Sequence, residues 1–191
     1  MNFLAHSMFA RQQPEIIVGQ FCGDFVRGGK LEQFPEQVRA GIRLHREIDQ
    51  YTDRHPVNLE ARRLFKPPYR RFAGVLTDVV YDHYLARSWS EYSDRPLRDH
   101  VDDVYEALRH HFEVLPLDLQ RFARMLIDQD ILASYLSFDA VELALSRISR
   151  RSERFLLLEE ASEVVKSLDS QLSAHFERFY PDLIIHMQNQ Q

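Results

Sequence analysis

The stretch GIRLHREIDQYTD, Gly41 to Asp53, places an imidazole and two carboxylates, His45, Asp49 and Asp53, at successive steps of four. Residues four apart share one face of an α-helix. At about 100° per residue, His45 and Asp49 fall about 40° apart, in the arc that also holds Val38, Gly41, Ile42, Ile48 and Thr52. Arg39, Arg43, Arg46, Glu47, Gln50 and Arg54 fill the opposite arc. The imidazole and the carboxylate are therefore expected to point inward, where an ionisable group needs a partner or a metal. They either pair with each other, cap a neighbouring helix, or serve a site. TDVVYDHYL, residues 77 to 85, repeats the device: Asp78 and Asp82 stand four apart and His83 follows at once. Its other residues are apolar nearly all round. Two carboxylates on one turn of such a helix repel each other unless an arginine or a metal cation sits between them. Carboxylates with imidazoles suit manganese, iron or zinc, whereas the single cysteine, Cys22, makes a thiolate zinc site impossible.

Two further fragments carry similar groups: Asn2 and His6, four apart, and Asp24 with Arg27 in GDFVRG. Helices must bring these together, and no segment shows a sustained period of two. The chain reads as all-α. Helices are expected from about Asn2 to Ala10, from Pro14 to Gly28 and Gly29, from Pro35 to His55, from Pro56 to Phe65 and from Tyr69 to Trp89. Amphipathic pieces follow from Pro96 to Val114, Leu117 to Asp130 and Phe138 to Arg150, then a long helix from Arg154 to Tyr180, with Pro181 opening a last short one. All six glycines lie in the first 74 residues. Three sit beside the polar groups: Gly41 four before His45, Gly74 four before Asp78, and Gly23 next to Asp24. Since a helical glycine costs about 1 kcal/mol relative to alanine, close helix crossings or ligand access are the expected compensation.

The 191 residues, 45% hydrophobic and 28% charged, suit one sizeable core. One domain over 1-191 is expected, with the site in about 1-89 and scaffold helices after it. A net charge of −5 argues against nucleic-acid binding. No run approaches the roughly 20 apolar residues of a membrane span, and MNFLAHSMFARQQ lacks the basic segment and cleavage site of a secretory signal, so a cytoplasmic protein is expected. Cys22 is read as a small buried hydrophobe, and His110, His111, Asp102 and Asp103 as surface groups.

Taken in order, MNFLAH, GDFVRG, GI-x-x-H-R-x-I-D-x-x-TD and D-x-x-x-DH resemble the acyl carrier protein phosphodiesterase (ACP hydrolase) family. The resemblance runs from Met1 to about Trp89 and continues weakly to the end. It implies a single-domain helical bundle related to the HD-domain phosphohydrolases, whose metal is held by a histidine, an adjacent His-Asp pair and a distant aspartate. This chain has no His-Asp dipeptide and shows Asp82-His83 in reversed order, so the ligands must be argued from its own residues. The expected catalytic and metal-binding set is Asp24, His45, Asp78 and Asp82. Asp49, His83 and His6 form a second rank, with Asp49 alternatively orienting His45 and Asn2 alternatively capping the first helix.

The resemblance further implies hydrolysis of the phosphodiester joining 4′-phosphopantetheine to a serine of holo acyl carrier protein, with a divalent metal, Mn²⁺ first and Mg²⁺ or Fe²⁺ as alternatives. Arg27 and Arg46 are the candidates for the phosphate. The carrier protein is acidic, so the Arg39 and Arg43 stripe is a candidate docking face, extended by Arg62, Arg63, Arg70 and Arg71. The rival readings are a metal-dependent phosphohydrolase of a nucleotide or other small phosphodiester, and a non-catalytic helical module that binds the carrier protein.

Overall fold

A computed structural model describes residues 2–26, 28 and 31–189, and among these every regular element is helical. In chain order the α-helices are α1 (Phe3–Met8), α2 (Pro14–Cys22), α3 (Glu36–Arg54), α4 (Pro56–Leu64), α5 (Ala73–Arg87) and α6 (Trp89–Tyr92). There follow α7 (Leu97–His110), α8 (Leu117–Asp128), α9 (Ile131–Ser134), α10 (Asp139–Ser149), α11 (Ala161–Ser167) and α12 (Asp169–Asn189). The all-α expectation holds, and no helix among the described residues is long and apolar enough to cross a membrane. Prolines open α2 and α4, where the missing N–H is lost to no bond.

The chain divides into two compact units: residues 3–49 with 88–133, and residues 50–87 with 134–189 together with Asn2. In the first, α2 packs on α1 and α7, and Phe3 stacks on Phe21 with ring centres 5.2 Å apart and on Phe122 of α8 at 4.7 Å. The crossing of α2 over α3 runs backbone to backbone. A Cβ on Gly19 would stand 2.3 Å from the Val38 carbonyl oxygen, and one on Gly41 would stand 2.4 Å from that of Ile16. No side chain fits there, and the close approach offsets the low helix propensity of the two glycines. Cys22 is fully buried, with its thiol pushed up to about 12 by burial, as befits a small core residue.

The Ser7 hydroxyl donates to the Leu4 carbonyl at 2.8 Å and stands 2.9 Å from His100 Nε2. With its hydrogen spent on Leu4, Ser7 Oγ accepts from His100 Nε2–H, which ties α1 to α7. Burial lowers the His100 pKa to about 4, with Asp103 acting upward and Arg95 downward, while the Trp89 ring covers it at 4.9 Å. Above pH 6.5 neither the folded nor the unfolded chain protonates this ring; between 6.5 and about 4 only the unfolded chain does. Stability is therefore expected to fall as pH drops through that window, by up to about 3 kcal/mol. His100→Phe should flatten that part of a urea-midpoint profile, and a wild-type slope in the variant would refute the assignment.

In the second unit α5 is buried nearly all round and packs on α4, α10 and α12. Tyr81 lies edge-on to Phe176 at 5.3 Å, and Arg62 donates to Asp53 at 2.7 Å. Gly74 is not a close crossing, since its nearest neighbour for a Cβ is Arg62 Cζ at 3.7 Å.

Three expected boundaries are corrected. The helix begun at Pro14 ends at Cys22, where the Gly23 N–H turns to the Gln20 carbonyl and the Phe25 N–H to the Cys22 carbonyl, each three residues back. The long helix expected from Arg154 to Tyr180 is instead a 3₁₀ segment (Glu153–Glu160), α11 and a new start at Asp169, where the Tyr84 hydroxyl donates to the Asp169 side chain at 2.9 Å. Pro181 opens no helix and sits inside α12. The carbonyl four residues earlier belongs to the exposed Glu177, where water can satisfy it, and buried Phe176, Phe179, Tyr180, Leu183 and Met187 hold the helix on both sides of the proline.

Candidate functional site

The first unit gathers polar groups from three of its helices. His6 sits on α1, Asp24 in the turn that ends α2, and His45 and Asp49 one turn apart on α3. Because α2 stops at Cys22, the Asp24 carboxylate is free of the helix and reaches 3.4 Å from His45 Nε2. The two imidazoles are buried and stacked, ring centres 4.0 Å apart. Their Nε2 atoms converge on one carboxylate: His45 Nε2 is 3.1 Å from Asp49 Oδ2 and His6 Nε2 is 3.2 Å from Asp49 Oδ1. Asp49 is 40% exposed and Asp24 55%, so the carboxylates form the outer rim over a buried imidazole floor.

Gly23 makes this floor possible. Its φ of −52° and ψ of −44° suit any residue, but a Cβ there would stand 2.2 Å from His45 Cγ and 2.3 Å from Cδ2. The glycine is required for space. On the far side of His6, its Nδ1 lies 3.2 Å from Oε1 of the fully buried Gln20.

Burial pulls the His6 pKa down to about 4, outweighing the favour that the Asp49 carboxylate shows the protonated ring, so this ring is neutral at neutral pH. Burial acts the same way on His45, but there the Asp24 and Asp49 carboxylates prevail and raise its pKa to about 9. Burial would raise both carboxyls; His45 holds Asp24 below the usual carboxylate range, and His45 with His6 holds Asp49 well below it. The cluster thus binds one positive charge tightly.

A cation can supply that charge as well as a proton can. His6, His45 and Asp49 each offer one ligand atom, and these atoms lie within 4.8 Å of one another. Two imidazole nitrogens with carboxylate oxygens suit manganese, iron or zinc, so the residues present fit a divalent metal, and Asp24 stands beside them.

The other residues singled out from the sequence lie as follows. Asp78 and Asp82 are on α5 in the second unit, Asp82 fully buried. In that unit Asn2 donates to the Tyr135 hydroxyl at 3.0 Å, whose pKa burial and then the Asp82 charge push up. His83 is held there by the Tyr135 carbonyl, 2.7 Å from Nδ1, and by the edge of Phe138. Asn2 is therefore engaged with Tyr135. Arg27 lies outside the described residues. Arg46 Nη2 donates to the carbonyls of Val26 at 3.2 Å and Gly28 at 3.3 Å, ordering the chain after Asp24. Arg39 and Arg43 both grasp Glu36, so the stripe carries an acid at its N-terminal end. Gln20 lies outside the residues singled out from the sequence; the signal for it is an amide directly after the run IIVG in the helix PEIIVGQFC.

A family model described as acyl carrier protein phosphodiesterase matches residues 1–183. The acyl carrier protein phosphodiesterase of Escherichia coli O6:H1 is 35% identical over 188 residues, covering 96% of this chain and 96% of the relative. That of Photorhabdus laumondii subsp. laumondii is 31% identical over 193 residues, covering 99% and 96%. No solved structure matches the chain. With its motifs spread along a match of nearly full length, the chain belongs to the acyl carrier protein phosphodiesterase family.

Proposed function

We propose that the protein hydrolyses the phosphodiester between 4′-phosphopantetheine and the carrier serine of holo acyl carrier protein, using a divalent metal held by His6, His45 and Asp49 with Asp24 beside it. The observation that carries this reading is the convergence of two buried imidazole Nε2 atoms on the one carboxylate of Asp49, in a chain of this family. A divalent cation bound there supplies Lewis-acid charge to the phosphoryl oxygens and acidifies water beside them.

The chain's own residues do the rest. To hold the cation His45 would have to give up its Nε2 proton, so binding is expected to release a proton and to weaken as pH falls. Asp24, on the exposed rim and ionised at neutral pH, accepts the proton of the attacking water at a carboxylate oxygen, and as the bond from phosphorus to the serine oxygen breaks that proton is returned to the leaving serine oxygen. Beyond its two Nη2 bonds, Arg46 keeps guanidinium donors for a phosphoryl oxygen, with Arg27 a further candidate. The acidic carrier protein is assigned to the Arg39 and Arg43 face. With Glu36 subtracted, that group of three presents a single net positive charge, so its contribution lies more in steering encounter than in affinity.

Intact-mass measurement of holo carrier protein incubated with the enzyme and Mn²⁺ tests the reading. The expected result is loss of the phosphopantetheinyl mass, arrest by excess chelator, and recovery on adding Mn²⁺. Full turnover in chelator with no metal detected would overturn the metal assignment. An unchanged carrier protein with Mn²⁺, Mg²⁺ and Fe²⁺ alike, beside turnover of a small phosphodiester, would overturn the substrate assignment.

A further inference from the structure

Gln20 has no role in the chemistry described so far, and its setting is unusual. It is fully buried on α2, its Oε1 faces His6 Nδ1 at 3.2 Å, and its Nε2 has no hydrogen-bond partner among the described residues. A buried polar group left unpaired costs about 1 to 3 kcal/mol, so an apolar residue of the same shape would serve packing better. What the amide does control is the imidazole beside it.

An imidazole that ligates a metal is neutral and carries one N–H, and the two nitrogens of His6 face different partners: Nδ1 meets Gln20 Oε1, and Nε2 meets Asp49 Oδ1 at 3.2 Å. Oε1 can only accept, so in this arrangement Nδ1 holds the hydrogen. The Nε2 lone pair then points at a carboxylate oxygen. Two acceptors facing each other repel, and a cation between them removes the repulsion. If the amide were turned over, its NH₂ would donate to Nδ1 and Nε2–H would donate to Asp49, closing the site with an internal hydrogen bond. The amide orientation thus selects between an imidazole ready to ligate and one spent on Asp49.

We propose that Gln20 is a positioning residue that fixes the Nδ1–H tautomer of His6, so that Nε2 presents its lone pair to a divalent cation shared with His45 and Asp49. This rests on the metal reading above. Partners that orient a metal-ligating histidine typically contribute tenfold to a hundredfold in metal affinity. Gly23 shapes the space that His45 occupies; Gln20 sets which nitrogen of His6 is available.

Two readouts test the inference on the full chain. Long-range ¹H–¹⁵N spectra of the histidines in metal-free protein report the His6 tautomer, and electron paramagnetic resonance titration reports the Mn²⁺ dissociation constant. The wild type is expected to show Nδ1–H at His6. Gln20→Met, close in volume and without an acceptor, should move the hydrogen to Nε2 and weaken Mn²⁺ binding by about tenfold to a hundredfold, with far-ultraviolet helicity kept. Gln20→Glu retains an acceptor opposite Nδ1 and should hold the wild-type tautomer and bind Mn²⁺ at least as tightly; it also carries the test should Gln20→Met fail to fold. An Nε2–H tautomer in the wild type, an unchanged His6 tautomer and Mn²⁺ affinity in Gln20→Met, or weaker Mn²⁺ binding by Gln20→Glu would each overturn the assignment. A wild type that binds no Mn²⁺ would overturn both the shared-cation part of this inference and the metal reading, whereas an altered tautomer with Mn²⁺ binding intact would overturn this inference alone.

Discussion

Gly23→Ala is expected to lower turnover of holo carrier protein by at least about a hundredfold, the scale of loss when a reacting group is misplaced by an ångström, while helicity stays at the wild-type level. Alanine suits the backbone there, since φ and ψ at Gly23 are helical. The damage is local. The new Cβ would stand 2.2 Å from His45 Cγ and 2.7 Å from Nδ1, and Nδ1 is buried with no hydrogen-bond partner among the described residues that could resist displacement. The ring must rotate away from Asp24 and Asp49. Steady-state kinetics beside circular dichroism checks this, and Gly74→Ala is the control, because the nearest atom to its added methyl is an ordinary contact at 3.7 Å. Gly74→Ala should leave turnover unchanged and stability within about 1 kcal/mol. If Gly23→Ala kept wild-type turnover, the imidazole would not need its present position.

Asp49→Asn should have the other large effect. The substitution keeps the shape and removes the one charge that both Nε2 atoms face, so Mn²⁺ affinity and turnover are expected to fall at least about a hundredfold. It also leaves a signature in metal-free protein. Wild-type His45, with its pKa raised to about 9, contributes stability that is fully present below the ordinary pKa of 6.5 and is lost as pH rises through about 9. Asp24 alone, 3.4 Å from Nε2, supports a smaller shift, so Asp49→Asn should narrow that window and flatten the loss of urea stability across it. Wild-type Mn²⁺ binding and turnover in this variant would show that the cation is seated elsewhere.

The amphipathic arc of α3 made His45 and Asp49 legible in the sequence, because arginines on one side and Val38, Ile42 and Ile48 on the other leave one orientation for the helix. No such contrast exists on α5. That helix is apolar nearly all round, so periodicity gives Asp78 and Asp82 a shared face and no direction for it. His6 is less legible because α1 spans only Phe3–Met8, too short to display a stripe. Gly19, Gly23, Gly41 and Gly74 look alike as letters, yet the first and third are contact points between backbones, the second clears an imidazole, and the fourth meets nothing closer than 3.7 Å. Pro181 differs from expectation for a related reason: a helix stop is a local preference, and burial of Phe179, Tyr180 and Leu183 overrides it.

The crossing at Gly19 and Gly41 lies one helical turn ahead of the contact between Gly23 and His45 on both helices, four residues in each case. Two contacts in matched register fix sliding as well as rotation, as two pins hold a plate where one would let it swivel. Neither contact has slack, because each brings backbone or ring against a bare Cα. The imidazole is therefore backed by α2 where the two helices already touch. A fluctuation that parts α2 from α3 at the glycines also removes the wall behind the imidazole, so the site and this part of the core are expected to open together.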